Sequence, residues 1–222
     1  QKIIISETVF SMDGDIVDVE IMRSLALKYN CILYLDEAHA SGIFGLNGFG
    51  LTSDEKNSLE DEVVVGTFSK AFGSYGSYVS CSKKIKDRIV NLCSGLIYST
   101  ALPPPVLGAI NAAVDKIPLM KETREKILRN SMYLKKRLLS ENFDIPNTKS
   151  QIIPIIFSSN EKCLKLSYLL EKNGFFVTAI QPPTVPVGKS RIRLTITKFI
   201  KRKQLNAFLD IIIKLNKSFE KN

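Results

Sequence analysis

Cys31-Ile32-Leu33-Tyr34-Leu35-Asp36-Glu37-Ala38-His39 is a continuous apolar run that stops on a carboxylate. A continuous apolar run of this length reads as a strand. The residues ahead of it agree. Ile16 to Asn30 repeats apolar residues at helical spacing (Ile16, Val19, Met22, Leu25, Ala26, Tyr29), with Asp15 placed to cap the helix and Asn30 to end it. Before that helix, Ile3–Ile5 is a short apolar strand and Asp13-Gly14 marks a turn. Strand, helix, strand is the unit of a parallel α/β sheet, whose ligands gather outside the carboxyl ends of the strands. Asp36 and His39 fall at such an end.

The next strand carries a second polar end. Val63-Val64-Val65-Gly66-Thr67-Phe68-Ser69-Lys70-Ala71-Phe72-Gly73-Ser74-Tyr75-Gly76 is a β-branched run that breaks into a small, hydroxyl-rich turn holding one lysine. A lysine among Phe68, Ala71 and Phe72 is expected to be partly desolvated, which lowers its pKa and makes the amine a usable nucleophile. Taken alone, the same stretch also fits a lysine snorkelling from a strand end. Between the two strands, Gly42, Gly45, Gly48 and Gly50 predict a mobile loop and Leu51–Glu62 a peripheral polar stretch. The glycine spacing is not that of a dinucleotide-binding turn.

Further on, the pattern predicts a strand at Ser77–Cys81 and helices at Lys83–Cys93, Val106–Lys116 and about Leu119–Asn142. Strands at Gln151–Phe157, Phe175–Ile180 and Arg191–Thr197 then surround a helix at Glu161–Asn173 and a proline-rich loop at Gln181–Gly188, before a last helix from Lys201 to about Asn216. The change of pattern places a domain boundary near Ile117, giving residues 1–117 and 118–222.

Composition narrows the function classes. The 222 residues are 45% apolar and 24% charged, an ordinary globular balance with no run long enough to span a bilayer and no signal-peptide pattern. Four scattered cysteines and one histidine make no zinc set, and reduced thiols of a cytoplasmic protein are expected. The net charge of +9 is spread along helix faces and the tail without exposed aromatics between the basic residues, which argues against nucleic acid and for a solvated surface or a phosphate-bearing ligand.

Three polar groups therefore emerge at strand ends: Ser11, Asp36 with His39, and Thr67 with Lys70. An acidic residue one crossover away from a lysine matches a pyridoxal 5'-phosphate site. There the lysine holds the cofactor as a Schiff base, and the carboxylate pairs with the ring nitrogen. Arg191 and Arg193 on one strand suit bidentate recognition of a carboxylate, though two arginines on a solvated edge strand fit the same residues.

Asp36-Glu37-Ala38-His39-Ala40-Ser41-Gly42 followed by Thr67-Phe68-Ser69-Lys70-Ala71-Phe72-Gly73 resembles the α-oxoamine synthases, fold-type I pyridoxal-phosphate enzymes. Val9–Asp15, Tyr98–Pro104 and especially Gln181-Pro182-Pro183-Thr184-Val185-Pro186 are most similar to the branch that serves biotin synthesis. The resemblance runs through the whole chain but covers only the later part of a family member. It implies the later part of a large mixed-sheet domain followed by a small α+β domain, and a homodimer with shared active sites. Lys70 then holds the cofactor and moves a proton, Asp36 pairs with the ring nitrogen, and Ser11 and His39 bond the ring's oxygen side. Thr67 binds the phosphate, Ser99 or Thr100 reaches the phosphate of the neighbouring subunit, Thr184 lies in a substrate loop and Arg193 clamps the amino-acid carboxylate. The implied reaction joins L-alanine to a pimeloyl thioester, on coenzyme A or acyl carrier protein. A glycine-using activity of the glycine C-acetyltransferase or 5-aminolevulinate synthase kind is the near alternative, and a non-catalytic remnant the distant one. Gly76-Ser77-Tyr78 and Lys198-Phe199-Ile200 depart from the family's usual pattern.

Overall fold

Two groups of apolar strands build two separate sheets, and the chain of the computed structural model, described over residues 2–54 and 58–219, divides into two units. The first unit comprises Gln1–Val9 and Val17–Arg124; the second comprises Phe10–Ile16 and Glu125–Asn222.

In the first unit, β1 (Lys2–Glu7), β2 (Cys31–Asp36), β3 (Glu62–Thr67) and β4 (Ser77–Cys81) form a sheet in the order β1-β2-β3-β4. The first three strands are parallel and β4 returns antiparallel. Helix α1 (Val19–Tyr29) bridges β1 and β2, and packs Val19 and Ala26 on Leu33 and Leu35. It starts later than the spacing predicts. Asp18, not Asp15, caps it by accepting from the Ile21 amide at 3.1 Å, because the Phe10–Ile16 stretch turns back on itself within the second unit.

The buried face of α1 holds Val19, Arg23 and Ala26, whereas Leu25 and Tyr29 are exposed. Arg23 reaches the two carboxylate oxygens of Glu62 at 2.8 and 2.7 Å, a buried bidentate pair that apolar periodicity does not show. Short helices α2 (Lys83–Leu92) and α3 (Ser94–Ile97) and the longer α4 (Pro104–Lys116) complete the unit, and none of the three buries a residue.

The second unit is built differently. Helix α5 (Lys121–Ser140) begins after a 3-10 turn at Ile117–Met120, and it points Ile127, Leu134 and Leu138 inward. Strands β5 (Ile152–Phe157), β6 (Thr178–Ile180) and β7 (Ser190–Thr195) form an antiparallel sheet in the order β5-β7-β6, with α6 (Asn160–Lys172) packed on it and α7 (Arg202–Phe219) packed on α6. The units divide at Arg124, a few residues beyond Ile117, where Arg124 donates to the Ile117 carbonyl and ties the helix start to the first unit. The Phe10–Ile16 stretch joins the second unit because the Gly14 carbonyl accepts from Thr148 Oγ1 at 3.0 Å.

Candidate active site

Asp36 ends β2 at the carboxyl edge of the first sheet, in register with Glu7 on one side and Val65 on the other. Its carbonyl accepts from the Thr8 amide at 2.9 Å, and its side chain Oδ1 accepts from the Ala38 amide at 2.8 Å. That second bond turns the chain so that Glu37 to Ser41 close a helical turn carrying half-buried His39.

One strand over, Thr67 ends β3. Its hydroxyl donates to the Gly76 carbonyl at 3.1 Å, lies 2.8 Å from Ser69 Oγ and accepts from the Ser69 amide at 3.2 Å. Phe68–Gly76 then closes on itself: the Ser74 amide donates to the Phe68 carbonyl at 2.8 Å, and the Gly73 amide to the Lys70 carbonyl at 3.0 Å. Gly73 takes φ +65°, which this tight closure requires. Lys70 sits in that closed turn.

The lysine's surroundings differ from the sequence expectation. Phe68 and Phe72 stack edge to face at 5.4 Å with Phe72 buried, but Lys70 itself is exposed. The aromatic neighbours pack beneath the turn, so the first unit's own residues do not supply the predicted desolvation. Ser99 and Thr100 lie exposed just after α3.

The loop expected to be mobile is instead anchored. Glu37, fully buried behind Asp36, accepts from the Thr52 amide at 2.9 Å and from Thr52 Oγ1 at 3.1 Å. Burial raises its pKa above the ordinary carboxylate value, against the pull of these hydrogen bonds. Gly50 packs on the same carboxylate at φ +105°, where a Cβ would come within 1.9 Å of Glu37 Oε2. Gly50 thus serves close approach to a buried acid, while Gly42 leaves room for Ala71 and Gly48 for Ile117 and Arg124. Sequence reading passed over Glu37, although an acid directly behind a strand-ending aspartate is a visible signal.

Tyr78, which follows the departing Ser77, lies across Gly66, whose absent side chain leaves room for the ring, and its hydroxyl is 2.8 Å from Ser41 Oγ. A cavity of about 420 Å³ opens on this side of the sheet, lined by Arg23, Glu37, Glu62, Phe68 and Tyr78 among others. It is on the α1 face, and neither Asp36 nor Lys70 lines it.

In the second unit, Arg191 and Arg193 part company. Arg191 is buried and paired with Asp13, and also donates to the Met12 carbonyl at 3.2 Å. Arg193 is half-buried and donates through Nη1 to the Ser11 carbonyl at 2.9 Å. Thr184 is exposed in the loop before β7, its amide donating a hydrogen bond to the Gln181 carbonyl at 3.0 Å.

Residues 1–212 match the family described as aminotransferase class I and II. The chain belongs to that family. Among its relatives, a protein of Desulfosudis oleivorans is 44% identical over 210 residues, covering 95% of this chain and 54% of its own length. A protein of Paramagnetospirillum magneticum is 41% identical over 212 residues, covering 96% and 53%. Both are provisionally named 8-amino-7-oxononanoate synthases. The chain spans about half the length of these curated relatives.

A serine palmitoyltransferase solved with PLP as the internal aldimine superposes with TM-score 0.91 at 27% identity, over 98% of this chain and 55% of that one. The 8-amino-7-oxononanoate synthase of Francisella tularensis superposes with TM-score 0.86 at 25% identity, over 99% of this chain and 64% of that one. The fold is therefore that of fold-type I transferases, represented by part of the large mixed-sheet domain and a small α+β domain. Among the described residues no helix is long and apolar enough to cross a membrane.

Proposed function

We propose that this chain is the C-terminal part of a pyridoxal-phosphate-dependent acyltransferase that condenses L-alanine with a pimeloyl thioester, on coenzyme A or acyl carrier protein, to give 8-amino-7-oxononanoate for biotin synthesis. One observation carries the reading: Asp36 and the Thr67–Lys70 turn stand at the carboxyl ends of adjacent parallel strands, in register through Asp36 and Val65. The relatives' names support the choice of reaction. A carboxylate, an amine and a hydroxyl on neighbouring strand ends form the donor set that the cofactor's ring nitrogen, aldehyde and phosphate call for.

When bound, the cofactor supplies an electron sink that lets the amino acid's α-carbon carry negative charge. Lys70 would hold it through the ε-amine, and the same amine would serve as the base that takes the amino acid's α-proton and returns it. Asp36 keeps the ring nitrogen cationic by charge pairing, and His39 and Ser11 hydrogen-bond the ring's oxygen side. Thr67 donates to the phosphate, with Ser99 or Thr100 offered to that of the second subunit in a cytoplasmic homodimer. Arg193 receives the amino-acid carboxylate, and Thr184 contacts substrate. The engagement of Arg191 with Asp13 supports assigning that role to Arg193.

Reduction with borohydride in the presence of pyridoxal phosphate, followed by peptide mapping, tests the reading. Label concentrated on Lys70 and lost in Lys70→Ala is expected. Label absent from the folded chain, or spread evenly over its lysines, overturns it.

A further inference from the structure

The turn that carries His39 leaves β2, and the turn that carries Lys70 leaves β3, the strand beside it. Both turns are supported from the α1 side of the sheet. Side chains alternate along a strand, so Asp36 takes the face opposite Leu35. Glu37, whose amide continues the ladder to the Val65 carbonyl at 2.7 Å, returns to the α1 face. Gly66 shares the parity of Val64, the partner of Leu35, and Tyr78 of β4 stands opposite Gly66. Tyr78 therefore lies behind the strand ends that carry the candidate chemistry, not among them.

Tyr78 has little freedom there. Its ring covers Gly66, where a Cβ would collide with the ring and its hydroxyl, and Phe68 packs against it at 5.1 Å between centroids. The ring carries the hydroxyl to 2.8 Å from Ser41 Oγ, and Ser41 is 1% exposed, so its hydroxyl needs a partner within the protein. Burial raises the Tyr78 pKa above its ordinary value of 10, so the phenol keeps its proton and the bond is between neutral groups. Beside this bond, Gly42 stands so close to Ala71 that a Cβ would collide with the Ala71 methyl. Ser41 is two residues past His39, and Phe68 two before Lys70. We infer that Tyr78 is a positioning residue: its hydroxyl pins the His39 turn to the Lys70 hairpin through Ser41, and so sets the spacing of His39 and Lys70 at the sheet edge. The pinning belongs to the first unit alone; only its use in catalysis rests on the proposed function.

Ser41→Ala, Tyr78→Phe and the double variant test this as a mutant cycle, first without pyridoxal phosphate. His39 is the only histidine in the chain, so its imidazole gives one assignable proton resonance. Each single variant should shift that resonance and speed hydrogen exchange in residues 37–41 and 68–76 by about 5–10-fold, as expected for losing one buried hydrogen bond. The double variant should do no more than the stronger single one, and exchange in α1 and β1 should not change. Tyr75→Phe, at a tyrosine 67% exposed in the same hairpin, is the control expected to have no effect. With pyridoxal phosphate and borohydride, labelling of Lys70 should fall by about the same factor in all three variants. Single effects that simply add, exchange that rises equally in α1 and β1, a His39 resonance indifferent to Tyr78→Phe, or Lys70 labelling that Tyr78→Phe leaves at the parent's level would each overturn the inference. A parent chain unlabelled at Lys70, with the cycle behaving as expected, would instead overturn the cofactor assignment and support the pinning.

Discussion

The two units bury similar sequence to different ends. In the second, β5 and β7 are buried on both faces, and Ile153, Leu166, Leu170, Leu209 and Ile212 are sealed from solvent. In the first, α1 packs on Leu33 and Leu35 with Ile4 against them, while Ile3 and Ile5 of β1 and Val90, Leu92, Leu96, Ile97 and Leu107 of α2 to α4 are exposed. Val90, Leu92, Leu96 and Ile97 are as apolar as anything in α7. A run of apolar residues states that a surface wants cover; it does not state where the cover comes from. The candidate catalytic lysine belongs to the unit whose β1 and β4 carry exposed apolar side chains.

The contrast can be broken at specific residues, read by hydrogen exchange resolved to peptides because two units need not unfold together. The largest effect is expected for Arg23→Ala, which strands Glu62 as a buried, unpaired charge at a cost of about 3–5 kcal/mol to the first unit. Protection of the second unit should not change. The reciprocal change, Leu209→Ala, opens a cavity in a fully buried position and should cost the second unit about 2–4 kcal/mol. If Leu209→Ala lowered protection in β1 to β3 equally, the two units would be one cooperative block.

Gly50→Ala should follow at about 1–3 kcal/mol, since alanine meets both a left-handed backbone and the Glu37 carboxylate. Smaller still is a pH effect. Burial raises the Glu37 pKa, so the folded first unit holds that proton more tightly than the unfolded chain does. Its stability contribution is then fullest below the ordinary value of 4.5 and is lost as pH rises through the raised value. Thermal melts of Glu37→Gln across that range should show a flatter profile than the parent chain; parallel profiles would place the pH dependence elsewhere.

Much of the fold could be read from local pattern. Strand, helix, strand at Ile3–Leu35, the returning strand Ser77–Cys81 and the strand-rich second half depend on spacing within a few residues, and periodicity reports that directly. The errors share a physical cause. Leu25 and Tyr29 were expected in the core and Arg23 was not, because Arg23 is buried by Glu62 on a distant strand, and no helical period encodes that partner. The glycine-rich loop reads as mobile until Glu37 and Thr52 are seen to hold it. The helix cap moved from Asp15 to Asp18 because Phe10–Ile16 left for the other unit.

The sequence by itself determined which residues are candidates for the chemistry: Asp36, His39, Thr67, Lys70 and Arg193 belong to motifs whose order survives without coordinates. Only the tertiary structure decided their surroundings. It put Asp36 and the Lys70 turn on adjacent strand ends, committed Arg191 to Asp13, and left Lys70 exposed above its aromatic neighbours. Residue identity is a local property of the chain, whereas burial is set by whatever packs from far away, and among the described residues Lys70 is exposed.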